Sequence, residues 1–494
     1  MKKLATLLLA AGLVFSAFQP ASAVEVKPYG TFELLFEHGG NITHAMQSSA
    51  DVEHNTGEQY HEKHFRPIQR MTLGTRFIID ENLSATYEAV LGFHTWGGPA
   101  VGTAPNAGGV LGTRSANIAT KLAFLDWVVP GTEVKVRMGM QNLADNGYAV
   151  GSNTLLKDFG TGVLVNAPIN HNVSVTAGWA RATSDFRRGN VVTDEHTDDN
   201  LDVFLLKLPV QGEGFRLTPW INAALIGKDQ TGWSDSLSWK NYTPLYGAAT
   251  EGLKLTGHPG ITITQNNVGE WRGNSTAWAG GLGGELTMFD PFRFAFDANY
   301  STVDADYSAL DRSGWMLALS TEYKTAWGVP TLKFWYTSGD DGNVKNGSER
   351  PIQIGSFRAG TSILTDDSAL AGNMVWSGGF SKSGTWGLSA QWNKASFIEG
   401  LFHNLRVTYL QGTNSSKMAQ YVEKKDLGKY LTTKDSVVEV SLDNVYSIYR
   451  NLAAMLEVAY LFENMDDNLW KAADGTKARF SNAWRVDLKF MYTF

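Results

Sequence analysis

The chain contains no cysteine in 494 residues, which removes disulfide staples, thiolate metal sites and an N-terminal lipid anchor on sulfur. It also lacks any run of about 18 consecutive apolar residues after Ala23, so no segment of the remaining chain is expected to span a membrane as a helix. A surplus of positive charge is missing too: the formal net charge is -7 and the isoelectric point about 5.8, which argues against nucleic acid as a partner. Neither a Gly-x-Ser-x-Gly elbow nor a His-Glu-x-x-His pair occurs, and no enzyme chemistry is expected. Proline- or serine-rich linkers are absent as well, so one large closed architecture fits better than several soluble domains.

The one long apolar run lies at the N-terminus. Lys2 and Lys3 precede Leu4 to Phe18, and Ala21-Ser22-Ala23 follows as a small-residue cleavage site. Residues 1–23 read as a secretory signal, and residues 24–494 as the mature protein, which acts beyond the inner membrane.

What fills the mature chain is alternation with a period of two. Trp484, Val486, Leu488, Phe490, Tyr492 and Phe494 alternate with Arg485, Asp487, Lys489, Met491 and Thr493, the pattern of a strand with one apolar and one wetted face. Similar runs cover Arg70 to Asp80, Ser84 to Phe93, Val134 to Gln141 and Phe292 to Tyr300. A soluble β-sandwich alternates as well, but here the connectors discriminate. Tight links such as Asp80 to Asn82, Val129 to Thr132 and Phe289 to Pro291 take turns with long ones such as His38 to His64, Asn142 to Phe159, Lys228 to Ser275 and Gly339 to Ser383. Bacterial outer-membrane barrels have that asymmetry, with short periplasmic turns and long extracellular loops. The sequence therefore predicts an all-β transmembrane antiparallel barrel of about 18 strands, with 16 as the alternative, standing in outer-membrane lipid. Aromatic residues near strand ends, among them Phe32, Trp315, Tyr323, Trp392, Tyr460 and Tyr492, suit the two lipid interfaces. The mean hydropathy of -0.20 is natural for a wall that is wet on one side.

The terminal Phe494, preceded by Tyr492 and Phe490, resembles the final-strand signal that the barrel-insertion machinery reads in Gram-negative outer-membrane proteins. The segment from Lys121 to Trp127, turning at Pro130-Gly131 into Lys135 to Gln141, resembles the homotrimeric outer-membrane porins of sulfate-reducing bacteria. That resemblance implies a homotrimer and passive diffusion of ions and small hydrophilic solutes through a water-filled pore. The third long connector lacks the Pro-Glu-Phe-Gly-type segment of the best-known general porins, so no constriction residue transfers from them.

Alternation assigns the lumen face. Arg70, Arg76, Glu88, Lys135, Arg137, Arg216, Trp220, Arg293, Asp297, Lys333, Arg406 and Glu439 are the expected pore-lining residues, because charges near the lipid midplane would cost roughly 2–4 kcal/mol for Arg or Lys. Many can equally pair across strands and merely satisfy the wall. Cations outnumber anions among the inward positions, which leads to an expectation of modest anion preference. Asp145, Lys157 and Asp158 are the charged candidates for a constriction loop between Asn142 and Phe159. A substrate-selective channel for sugars or organic acids is the alternative, with Trp220, Arg216 and Asn222 as a binding track; an adhesion or surface-layer barrel is a third reading. His38, His44, His54, His61 and His64 crowd the first long loop, yet their spacing matches no compact zinc motif. The pairs Asp340-Asp341, Asp366-Asp367 and Asp466-Asp467 read as turn residues, so neither metal nor cofactor is expected.

Overall fold

The computed structural model describes residues 24–42, 63–98, 110–111, 118–144, 147–150, 157–184, 200–226, 275–303, 311–343, 346–352, 361–364, 374, 380–421, 430–470, 477 and 480–494. The signal-like segment 1–23 lies outside them.

Eighteen antiparallel strands form one sheet. They are β1 (Glu25–Gly40), β2 (Lys63–Ile78), β3 (Leu83–Thr95), β4 (Ile118–Val128), β5 (Lys135–Ala144), β6 (Lys157–Pro168), β7 (Ser174–Ser184), β8 (Asn200–Lys207, resuming as Val210–Gly212), β9 (Phe215–Ile226), β10 (Ser275–Leu286), β11 (Phe292–Val303), β12 (Arg312–Tyr323), β13 (Val329–Thr337), β14 (Thr385–Ile398), β15 (Leu401–Gly412), β16 (Ser436–Tyr449), β17 (Leu452–Asn464) and β18 (Ala483–Thr493). Each strand pairs with its sequence neighbours, and β1 pairs with both β2 and β18, so the sheet has no free edge. The interruption in β8 falls at Leu208-Pro209, where proline has no N–H to give the ladder, and both segments pair with β9.

Every second connection is tight, and local chemistry explains the tightness. Asp80 Oδ1 accepts the Asn82 N–H at 2.7 Å in the β2–β3 turn, and Asn170 Oδ1 accepts those of Asn172 and Val173 at 2.8 and 3.0 Å in the β6–β7 turn. At the β14–β15 link, Gly400 takes φ +75°, which a side chain would oppose. The intervening connections are the long ones. By the usual asymmetry of bacterial barrels they face the cell exterior, and they are numbered L1 to L9 below in chain order.

The faces separate as the alternation requires. On β15, Leu405 and Val407 are exposed on the outside, while Arg406 and Thr408 between them are buried inside. Exposed Phe204, Leu206, Ile221, Leu225, Trp278, Trp315, Tyr460 and Tyr492 continue that outer apolar face. Apolar side chains outside and closed backbone pairing throughout suit lipid, and this is an outer-membrane barrel.

The seam is made by β1 and β18, in register from Thr31 opposite Thr493 to Gly40 opposite Trp484. Beyond β18, Phe494 exchanges two main-chain hydrogen bonds with Gly30, at 2.9 and 3.0 Å, and its ring covers the space a side chain at residue 30 would need. On the inner face Tyr29 lies over Gly74, where a Cβ would come within 2.2 Å of the ring. These glycines let the wall accept the two rings.

Candidate pore

Two external loops turn into the barrel, and both are held by the same device. In L3, between β5 and β6, the consecutive N–H groups of Tyr148, Ala149 and Val150 all donate to the carboxylate of Asp297 on β11, at 2.8 to 3.4 Å. The Tyr148 hydroxyl pairs with Thr218 on β9 at 2.7 Å, and Arg293 donates to the Tyr148 carbonyl at 3.1 Å. In L7, between β13 and β14, the N–H groups of Ser362, Ile363 and Leu364 donate to Glu439 on β16 at 2.5, 2.9 and 2.8 Å. Ser362 also hydrogen-bonds Glu457 on β17, and its carbonyl accepts from Arg485 on β18 at 2.7 Å. Successive backbone N–H groups form a concavity suited to an anion, and here a wall carboxylate fills it.

The apolar side chains that these loops carry inward gain a common core. Ala149, Val150, Ile363 and Leu364 pack in one buried cluster with Ile42, Met316, Trp335 and Leu461. A second inner cluster gathers Trp220 with Leu201, Val203, Leu205, Ala277 and Ile352, the last reached by L7. Arg312 secures that limb by donating to the carbonyls of Arg350 and Pro351 at 2.8 and 2.9 Å, and Ile352 N–H donates to Ser301.

The wall charges are mostly matched by wall charges. One register row runs across five strands as Asp443, Glu457, Asp487, Glu37 and Arg66. Arg406 grips Asp443 through two 2.6 Å bonds, Arg485 sits 3.1 Å from Glu457 and 3.0 Å from Asp487, and Arg66 pairs with Glu37. Nearer the short-turn rim, Arg293 joins Glu285 at 2.7 Å and Glu322 at 2.6 Å, and Arg216 lies 3.4 Å from Glu285. Four clustered carboxylates are tolerable in a closed wall only because guanidinium groups interleave with them.

The two sides of the lumen differ in access. Arg485 and Glu457 are buried where Ser362 of L7 bonds both, and Asp443 and Arg406 are buried in the wall beside them, whereas the inward side chains of Arg137 and Arg216 remain 42% and 64% exposed. Arg137 is held to Asp126 at 2.6 and 2.8 Å and lies 4.0 Å above the Phe124 ring. Water therefore keeps contact with charged wall on β4 and β5 and, below the L3 anchor at Thr218, with Arg216 near the short-turn rim of β9.

The expected pore residues fall out as follows. Arg70 meets Glu33 at 2.7 Å, and Lys489 takes the other oxygen of Glu33 at 2.6 Å. Arg76 reaches Ser84 at 3.4 Å, and Glu88 receives the Tyr29 hydroxyl at 2.9 Å and Lys121 at 2.5 Å. Lys135 opens β5 as an exposed residue opposite Asn166, and Lys333 stands opposite Ser320 and Ser389. Trp220 is inward but only 6% exposed, with Gly281 beneath its ring, and Asn222 is 3% exposed. Asp297 and Glu439 hold the two loops. Lys157 and Asp158 belong by backbone to β6, opposite Ala144 and Leu143, rather than to the free part of L3; the ladder simply extends further than the sequence pattern indicates. Asp145 lies outside the described residues. Of the loop histidines, His38 faces outward against Trp484 while His64 is 3.7 Å from Glu37 in the wall, and His44, His54 and His61 lie outside the described residues. Glu33, Glu37, Arg66, Arg312 and Ser362 were not singled out from the sequence, although Glu33-x-Leu35-x-Glu37 shows the inward period.

No family model and no curated protein sequence matches the chain. Among solved structures, that of Acinetobacter baumannii OccAB1 superposes with a TM-score of 0.50 over 96% of this chain and 99% of that one, at 10% identity. This chain shares that barrel fold. Two further likenesses are weaker: Pseudomonas aeruginosa OpdQ has a TM-score of 0.47 at 11% identity, over 95% of this chain and 97% of that one. The outer membrane channel DcaP of Acinetobacter baumannii has 0.40 at 12%, over 97% and 99%.

Proposed function

We propose that this barrel is an outer-membrane porin through which ions and small hydrophilic solutes diffuse passively. The observation that carries the reading is the divided lumen. Inward loops narrow it, L3 against β9 and β11 and L7 against β16 to β18, while the inward charged pair of Arg137 and Asp126 on β4 and β5 stays in contact with water. Barrels of 16 to 18 strands are wide enough to keep an aqueous lumen beside such loops. Local pairing of wall charges supports weak ion selectivity, because a paired charge presents little net field along the path. That reading replaces the anion preference suggested by counting inward cations alone. The Asp126-Trp127 hairpin supports a place among the homotrimeric porins that the sequence resembles.

Planar-bilayer recording on the purified protein tests it. Discrete steps that scale with salt concentration and a reversal potential near zero in a salt gradient are expected. Bilayers that stay silent with verified folded protein would exclude the proposal.

A further inference from the structure

We propose that the root of L7 is a binding site for a divalent, oxygen-preferring cation, calcium before magnesium, with Asp340, Asp341 and Glu349 as its protein ligands. Oxygens of these three carboxylates all lie within 4.8 Å of one another. They come from two separately anchored limbs. Asp340 follows β13 and is fixed by L8, since its N–H donates to Asn414 Oδ1 at 2.9 Å and its carbonyl accepts the Ser415 N–H at 2.7 Å. Glu349 is fixed to the start of β12 by its neighbour Ser348, which exchanges main-chain bonds with Asp311 and Ser313 at 2.9 and 3.0 Å.

Local turn chemistry leaves one oxygen of this cluster unmet among the described residues. Asp340 Oδ1 accepts the Gly342 N–H at 2.7 Å, but its Oδ2 is buried and accepts no hydrogen bond among the described residues, in a side chain belonging to a residue only 3% exposed. The four oxygens of Asp341 and Glu349 accept only neutral donors, which cannot balance their charge: Asn343 N–H to Asp341 Oδ1 at 2.6 Å, Asp341 N–H to Glu349 Oε2 at 2.9 Å, and the Asn346 amide to Asp341 Oδ2 and Glu349 Oε1 at 3.2 and 3.1 Å. Among the described residues, no lysine or arginine forms an ion pair with any of the three. A buried, unpaired carboxylate oxygen beside two more carboxylates is costly unless a cation neutralises them.

The donor set selects the ion. Carboxylates from an irregular loop offer several oxygens without octahedral order, which calcium accepts at 2.3–2.6 Å and magnesium, with its stricter geometry and reluctant dehydration, does not. A cation here would clamp the hairpin from Asp340 to Glu349, and the chain that leaves it through Arg350 and Pro351 is the limb held by Arg312 inside the barrel. The site thus secures the entry of L7 into the lumen. It stands apart from the conduction reading, because binding can be measured whether or not the barrel conducts.

Equilibrium dialysis with radioactive calcium tests the proposal on the complete chain, refolded in detergent without lipopolysaccharide and stripped with chelator. Wild type should bind one calcium per chain, with an affinity of roughly 0.1–1 mM as in extracellular modules. The double variant Asp340→Asn, Glu349→Gln should weaken it at least about tenfold, and Asp466→Asn, on L9, should not. Folding of each sample is read from heat-modifiable gel mobility. If the double variant does not fold, Asp341→Asn, whose side chain is exposed, gives the same readout. Absence of binding to folded wild type, equal binding by the folded variant, or tighter binding of magnesium would each overturn the assignment.

Discussion

Asp297 and Glu439 each accept three consecutive backbone N–H groups, so each fixes a loop more firmly than a side-chain pair would. Hydrogen bonds to a charged group are worth about 1.5–3 kcal/mol each, and a loop's ordering entropy opposes their sum. Asp297→Ala removes the acceptor from all three L3 donors at once. We expect L3 to leave the wall, with conductance raised and current noise increased while the barrel remains heat-modifiable; unchanged single-channel conductance would show that L3 is held by its apolar contacts instead. The inward position of Asp297 was readable from alternation. Its partner was not, because Tyr148-Ala149-Val150 offers only backbone donors and no charge pattern to a reader of sequence.

At the scale of elements, the seam between β1 and β18 depends on the last residue. Phe494 supplies two main-chain bonds to Gly30 and a ring over it, so its loss shortens the ladder where the barrel closes. Deleting Phe494 should sharply reduce the heat-modifiable protein recovered in outer-membrane fractions, both by weakening the seam and by damaging the signal offered to the insertion machinery. Recovery equal to wild type would remove Phe494 from both roles. Phe490 and Tyr492 stand opposite Leu34 and Phe32 across the same seam. The strand pattern and the alternation of short and long connections were legible, since each strand has one lipid face and one polar face. The long connector from Gly339 to Ser383 has no such alternation, and its buried residues give a physical reason. Ile363 and Leu364 of L7 are buried inside the barrel, so these two answer to a tertiary core and to neither strand nor turn periodicity.

For the whole molecule, closure leaves no unpaired sheet edge, so association by adding a strand from another chain is closed to it. The resemblance to trimeric porins leads to a direct expectation. Unheated samples in mild detergent should migrate well above the 54.1 kDa precursor mass and shift downward on boiling, while sedimentation giving only a monomer would refute trimer assembly.

Sequence by itself determined the architecture: a period of two, tight turns alternating with long loops and no apolar helix leave a closed barrel as the structure that satisfies every backbone group in lipid. It also indicated the face of regular strand positions such as Asp297 and Arg406, because successive side chains on a strand point to opposite faces, whereas bulges such as that between Trp392 and Ala395 break the alternation. Only the tertiary structure decided which inward charges remain wet and which are sealed. That outcome depends on L3 and L7 crossing the lumen to meet Asp297 and Glu439, residues 147 and 75 or more positions away in the chain, and no local periodicity encodes a contact of that range.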